Sequence, residues 1–188
     1  MIIYSLGFLS GYYQNGFRHG VGTYRFKVGG KYQGEYDQGK KHGQGTFWYP
    51  DGSRYEGSWV DDQRNGTGTY YYPSGDTYEG EWYEHKRHGQ GLYTYAESGA
   101  QYRGTWDQGK RKGPGELLFK NHKYTGYFDD DLPSGTGKYR FDIGCSLHGK
   151  YEIEEELIEN EQDEDDEPVL VMKPKWITKG KMTLTENY

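Results

Sequence analysis

Glycine returns at positions 11, 34, 57, 80, 104, 126 and 149, at intervals of 22 to 24 residues, each time inside the same five-residue pattern. The pattern is Tyr-x-Gly-x-aromatic. It reads Tyr32–Tyr36, Tyr55–Trp59, Tyr78–Trp82, Tyr102–Trp106 and Tyr124–Phe128, with weaker copies around Gly11 and Gly149 that begin with Leu9 and Leu147. A fixed period of this length is the mark of a repeat architecture, in which each unit buries its apolar face only against its neighbours.

Nine residues after each of the first six central glycines stands the first glycine of a second motif: His19-Gly20-Val-Gly22, His42-Gly43-Gln-Gly45, Asn65-Gly66-Thr-Gly68, His88-Gly89-Gln-Gly91, Lys112-Gly113-Pro-Gly115 and Ser134-Gly135-Thr-Gly137. Alternating aromatics usually follow, as in Tyr24/Phe26, Phe47/Tyr49, Tyr70/Tyr72, Tyr93/Tyr95 and Tyr139/Phe141, with Leu117/Phe119 in the fifth copy. Rings at period 2 mark a half-buried strand. Two such strands separated by polar, Gly-bearing turns such as Asp51-Gly52 or Ser74-Gly75 make a β-hairpin. Glycines between the rings leave bare backbone for a neighbouring ring to cross.

One hairpin is marginal in water, so only a row of them is stable. The expected fold is therefore all-β: an elongated, single-layer, twisted antiparallel sheet of stacked hairpins over residues 1–151, six full units and a terminal strand. Composition agrees. The chain is 18% aromatic and holds 30 glycines, so its apolar area comes from rings, not from a large aliphatic core.

The paired motifs resemble the MORN repeat (membrane occupation and recognition nexus) over residues 9–151. Within that family, the runs Lys41–Phe47, Tyr49–Gly57 and Arg87–Gly91 are similar to the MORN-repeat subunits of ciliary radial spoke heads, as is the segment Gly137–Cys145 with His148-Gly149. An acidic stretch and Pro174-Lys-Trp176 follow in the same order. The resemblance implies a curved single-layer sheet with an aromatic-lined groove, no catalysis, and a place in the axoneme of motile cilia and flagella. Its partners would be other spoke-head subunits or central-pair projections, with self-association open. It also implies a longer whole, because this chain begins inside a repeat. Two other family roles stay open: a phospholipid-binding tether, and a regulatory array attached to an enzyme.

The charge shifts abruptly near Tyr151. Residues 1–151 carry 19 Lys and Arg against 17 Asp and Glu, whereas residues 152–188 carry 4 against 12. Residues 152–168 are expected to be an extended, solvated acidic linker. Residues 169–188 read either as its continuation or as a segment that orders on a partner through Val169, Leu170, Val171, Met172, Trp176 and Ile177.

Two aromatic rows are the candidate site: Tyr32, Tyr55, Tyr78, Tyr102 and Tyr124, and Tyr36, Trp59, Trp82, Trp106 and Phe128. They serve either as core alone or as core plus an exposed protein-binding groove, since one layer cannot hide both faces.

Other chemistry is weaker. Gly34–Lys41 and Gly104–Arg111 approach a phosphate loop but lack its closing Ser/Thr and a following helix. His19, His42 and His88 stand two strands apart, about 9–10 Å, too far to share a zinc ion. Asp61/Asp62 and Asp129–Asp131 fall where turns need Asp. The single Cys145 excludes an internal disulfide framework and suits a reducing compartment. Met1–Phe8 lacks the features of a signal peptide. We read the chain as a non-catalytic scaffold of the cytoplasm or cytoskeleton, with no cofactor, no metal, no nucleic acid and no stable membrane association.

Overall fold

The computed structural model describes residues 9–158 and 169–184. Contacts divide the chain into two units, Met1–Gly109 and Lys110–Tyr188. Every regular element among the described residues is a β-strand.

The N-terminal unit is an antiparallel sheet of β1 (Leu9–Gln14), β2 (Phe17–Arg25), β3 (Lys31–Asp37), β4 (Lys40–Trp48), β5 (Arg54–Val60), β6 (Gln63–Tyr71), β7 (Thr77–Tyr83), β8 (Lys86–Thr94) and β9 (Gln101–Asp107), each paired with the next in sequence. Within a repeat, two residues turn the chain, and both lie at positive φ: Asn15-Gly16, Gln38-Gly39, Asp61-Asp62 and Glu84-His85. That is the turn whose twist matches the right-handed twist of the strands it joins. Between repeats the loop is longer and closes on a positive-φ glycine, as where Gly52 N–H donates to Tyr49 O and Tyr49 N–H donates to Ser53 O.

The motif glycines face one another across every strand pair. Gly11, Gly22, Gly34, Gly45, Gly57, Gly68, Gly80, Gly91 and Gly104 form a continuous ladder. A methyl group at Gly45 would overlap the Tyr32 ring, and one at Gly68 or Gly91 would overlap Tyr55 or Tyr78. The ring of each motif tyrosine lies flat over this ladder. Its hydroxyl donates to a carbonyl three residues on: Tyr32 to Glu35, Tyr55 to Ser58, Tyr78 to Glu81 and Tyr102 to Thr105, at 2.9–3.1 Å. Just past the ladder the register slips and two residues bulge outward. At Gly43-Gln44 and Gly89-Gln90 the bulge is clamped by a carboxylate, Glu35 or Glu81, accepting the Gln N–H at 2.7 Å.

The core lies on one face of this sheet. Tyr24, Tyr32, Phe47, Tyr55, Tyr70, Tyr78, Tyr93 and Tyr102 stand opposite one another from β2 to β9.

The C-terminal unit comprises β10 (Lys110–Leu118), β11 (His122–Asp129), β12 (Leu132–Phe141), β13 (Cys145–Ile158), β14 (Val169–Thr178) and the short β15 (Thr183–Leu184). β10 to β14 pair in sequence order, and β15 adds to the start of β13. Residues 152–158, expected to begin a solvated spacer, instead continue β13. The like charges along that strand are answered from β14, where Lys175 meets Glu154 at 2.7 Å and Lys173 meets Glu156 at 2.5 Å. The rest of the expected spacer, 159–168, lies outside the described residues, as does the Met1–Phe8 stretch.

Candidate interaction surfaces

The ten aromatic residues proposed as a binding row all belong to the core, and none exceeds 5% exposure. This corrects the expectation of an open groove formed by those rings. The reason is their tilt. In the N-terminal unit Tyr32, Tyr55 and Tyr78 are each held at right angles between the aromatic four residues ahead and the corresponding ring of the next repeat. Tyr32 meets Tyr36 at 5.1 Å and Trp59 at 5.5 Å, Tyr55 meets Trp59 at 5.2 Å and Trp82 at 5.3 Å, and Tyr78 meets Trp82 and Trp106 at 5.2 Å each. Edge-to-face pairs at this spacing are favourable beyond the area they bury. Two of the indoles are also anchored, Trp59 Nε1–H donating to Gly45 O and Trp82 Nε1–H to Gly68 O. Burial pushes the hydroxyls of Tyr32, Tyr55 and Tyr78 well above the usual phenol range, and that of Tyr36 to about 12 against the opposing pull of Arg18, so all remain neutral.

A row of cations that the sequence reading missed closes the core from above. Arg18, Lys41, Arg64 and Arg87 each precede the second motif of their repeat. Arg64 lies 4.5 Å from the Trp82 ring and 5.2 Å from Tyr70, and Arg87 lies 4.2 Å from Trp106. The same side chains reach the next hairpin tip, where Arg18 donates to Gly39 O, Arg64 to His85 O and Arg87 to Gly109 O. Those tips answer through their backbone: the N–H groups of Gly39, Asp62, His85 and Gly109 donate to the carbonyls of Arg18, Lys41, Arg64 and Arg87. Where the tip is not glycine its side chain joins in. Asp62 accepts both the Lys41 N–H and Nζ, and His85 Nδ1 accepts the Arg64 N–H at 3.3 Å. In the C-terminal unit Arg111 and Asp131 repeat this clamp. The signal was visible in principle: a basic residue one position before the second motif, recurring at repeat spacing.

Half-buried rings flank the core. Phe26, Tyr49, Tyr72 and Tyr95 lie on the core side of the sheet near the inter-repeat turns. On the opposite side of the N-terminal unit, Lys31 stands 3.5 Å over Trp48 and Arg54 4.1 Å over Tyr71.

The expected docking segment is ordered on its own chain. Trp176 and Ile177 in β14 face Tyr151 and Lys150 in β13, and Val171 and Met172 face Glu156 and Glu155. Val169 and Leu170 begin the same strand. Trp176 lies over Gly149, where a methyl would strike its ring. It thereby fills the place a motif tyrosine takes elsewhere, which Leu147 cannot fill. It also packs 5.0 Å from Tyr139 and 5.1 Å from Tyr151. Beyond this point the β13–β14 ribbon leaves Ile153, Leu170 and Met172 exposed on one face.

The remaining candidates have local roles. Asp61-Asp62 and Asp130-Asp131 are hairpin tips. His19 and His88 each lie beside an aspartate of the neighbouring strand, Asp37 at 3.2 Å and Asp107 at 3.4 Å. Cys145 is buried at the start of β13. No group of three or more metal-ligating side chains occurs among the described residues.

A sheet of ladder-paired glycines roofed by rings, repeated every 23 residues or so, defines a β-hairpin repeat protein. The chain belongs to the MORN repeat family, whose model matches residues 10–31, 32–54, 55–77, 78–99, 102–123 and 124–146. It is 56% identical over 86 residues to a Cyprinus carpio protein called Radial spoke head 1 homolog, covering 45% of this chain and 39% of that one. It is 55% identical over 81 residues to the Mus musculus protein of the same name, covering 43% of this chain and 27% of that one. The chain thus spans well under half the length of these relatives. Among solved structures it is similar to the TCP domain of SAS-4 from Drosophila melanogaster, with TM-score 0.48 and 16% identity over 71% of this chain and 77% of that one.

Proposed function

We propose that this chain is a structural, non-catalytic subunit of the radial spoke head, holding its neighbours in the axoneme of motile cilia and flagella. One observation carries the reading: more than half the residues are identical to proteins named for the radial spoke head, over 86 and 81 aligned positions. The architecture supports it, because thin hairpin sheets offer long faces and edges, and catalysis needs an enclosed, water-poor cleft.

In this reading residues 1–151 form the scaffold array and the tail closes it. Contacts with other spoke subunits fall to the half-buried rings Phe26, Tyr49 and Tyr72 and to the exposed face around Ile153, Leu170 and Met172, leaving the buried rows to stability. The test is fractionation of motile cilia carrying a tagged copy of the natural gene. The protein should stay with the axoneme after detergent extraction and leave together with the spoke heads under high salt. Recovery only in the soluble or membrane fraction would overturn the assignment.

A further inference from the structure

The outer face of the C-terminal unit, opposite Tyr124 and Tyr139, is built differently from its counterpart in the N-terminal unit. There, two cations lie over aromatic rings of the next strand, Lys31 over Trp48 and Arg54 over Tyr71, although Lys31 also stands opposite Arg25 on its other side. At the equivalent register in the C-terminal unit, Lys123 stands opposite Arg140, and one step along the strands Lys138 stands opposite His148. Like charges set directly across a sheet repel.

Only part of this charge is answered within the unit. Glu116 accepts Lys123 Nζ and Thr125 Oγ1, each at 3.0 Å, and Lys150 is paired with Glu152. Lys138 and Arg140 have no ion-pair partner among the described residues, and Arg140 and His148 are exposed. Lys123, Thr125, Thr136, Lys138, Arg140 and His148 surround a shallow depression of about 440 Å³, floored by the bare backbone of Gly137. A chain of net charge −6 that concentrates unpaired cations and two hydroxyls around one hollow is placing a complement for negative charge.

We infer that this face docks an acidic peptide of a protein partner in extended conformation. Lys138 and Arg140 are two apart on β12, about 7 Å, which is also the spacing of alternate side chains on an extended strand, so successive carboxylates of such a peptide meet successive cations. Thr136 offers its hydroxyl to the peptide backbone. A bilayer fits less well, because it is flat and the cations line a depression. The inference does not depend on the radial spoke assignment.

The experiment is a fluorescence-anisotropy titration of the purified full chain with a labelled peptide of alternating Glu and Ser. Parallel arms use a Lys-Ser peptide and phosphatidylserine vesicles. The Glu-Ser peptide alone should bind, weakening roughly tenfold between about 50 and about 300 mM salt. The double variant K138E/R140E should lose binding at least about tenfold, while Arg103→Glu, an exposed cation of the N-terminal unit, should leave it unchanged. Arg140→Gln repeats the test with a milder change. It should bind more weakly while raising the urea midpoint, because it relieves the repulsion from Lys123. Equal binding by the charge variants, equal loss in Arg103→Glu, or binding to vesicles without binding to peptide would each overturn the inference.

Discussion

The regular hairpins and the last one solve the same problem by different routes. From β3 to β8, the bare glycine pair of each hairpin is roofed by a tyrosine from the same hairpin, two residues before the first glycine it covers. At Gly149 the roof is Trp176, brought back from 27 positions downstream by β14. What the architecture demands is a flat ring over exposed backbone, and the position of that ring in sequence is free. A regular repeat meets the demand locally, and the end of the array meets it by folding the tail back. The local solution needs no chain closure, whereas the distant one orders a loop before its contacts form.

That contrast predicts where each unit yields. The largest effect is expected from Tyr78→Ala, which removes a fully buried ring and uncovers Gly80 and Gly91, at a cost of about 3–5 kcal/mol in urea unfolding. Gly91→Ala should approach that loss from the opposite side, by forcing the ring out of its seat. Trp176→Ala comes next, at about 3 kcal/mol. Its distinguishing result is spatial: amide exchange should accelerate in β13 and β14 while β3 to β8 keep their protection. Adding Leu147→Tyr to it should recover part of the loss by restoring a local roof. Failure to recover any would break the equivalence of the two solutions.

Acid should act on the N-terminal unit in two stages of smaller size. Burial and the Arg64 charge hold His85 below the usual imidazole value, so the unfolded chain takes the proton first and stability falls as pH drops through about 6.5. His85→Asn should flatten this stage. Hydrogen bonds from Ser53 lower the Asp51 carboxyl, those from the Ala96 N–H and Tyr93 lower Asp76, and at Asp62 burial raises the carboxyl but the bonds from Lys41 outweigh it. Depressed carboxylates stabilise above the unfolded value, so a second decline is expected below about pH 4, read from urea midpoints across a pH series. The smallest effect is Lys31→Gln, which forfeits the contact with Trp48 and should cost about 0.5 kcal/mol by the same measurement.

Much of the architecture was legible in advance. Period-2 rings and turn dipeptides placed the hairpins, and the facing glycines announced close approach of rings to backbone. Three features were hidden for physical reasons. Spacing tells which rings share a face but not their tilt, so an open groove and a closed edge-to-face stack look alike in sequence. Arg18, Lys41, Arg64 and Arg87 read as surface charge because guanidinium and ammonium groups usually seek water. Here the stem and the charge lie on rings while the polar tip meets a carbonyl of the next hairpin or, for Lys41, the Asp62 carboxylate. The fate of Glu152–Glu156 depended on Lys173 and Lys175, which reach it only through a strand pairing that no local pattern encodes.

The tie between each hairpin tip and the carbonyl of the preceding cation has a consequence for evolution and engineering. Because Gly39, Asp62 and His85 grip Arg18, Lys41 and Arg64 in the same way, any repeat presents its successor with the same socket. Excising Tyr55–Thr77 would join two surfaces already shaped for one another, whereas deleting a dozen residues would leave a tip with nothing to grip. Length in such a protein is therefore set in whole steps, and the array is a ruler whose graduations are fixed by its own joints.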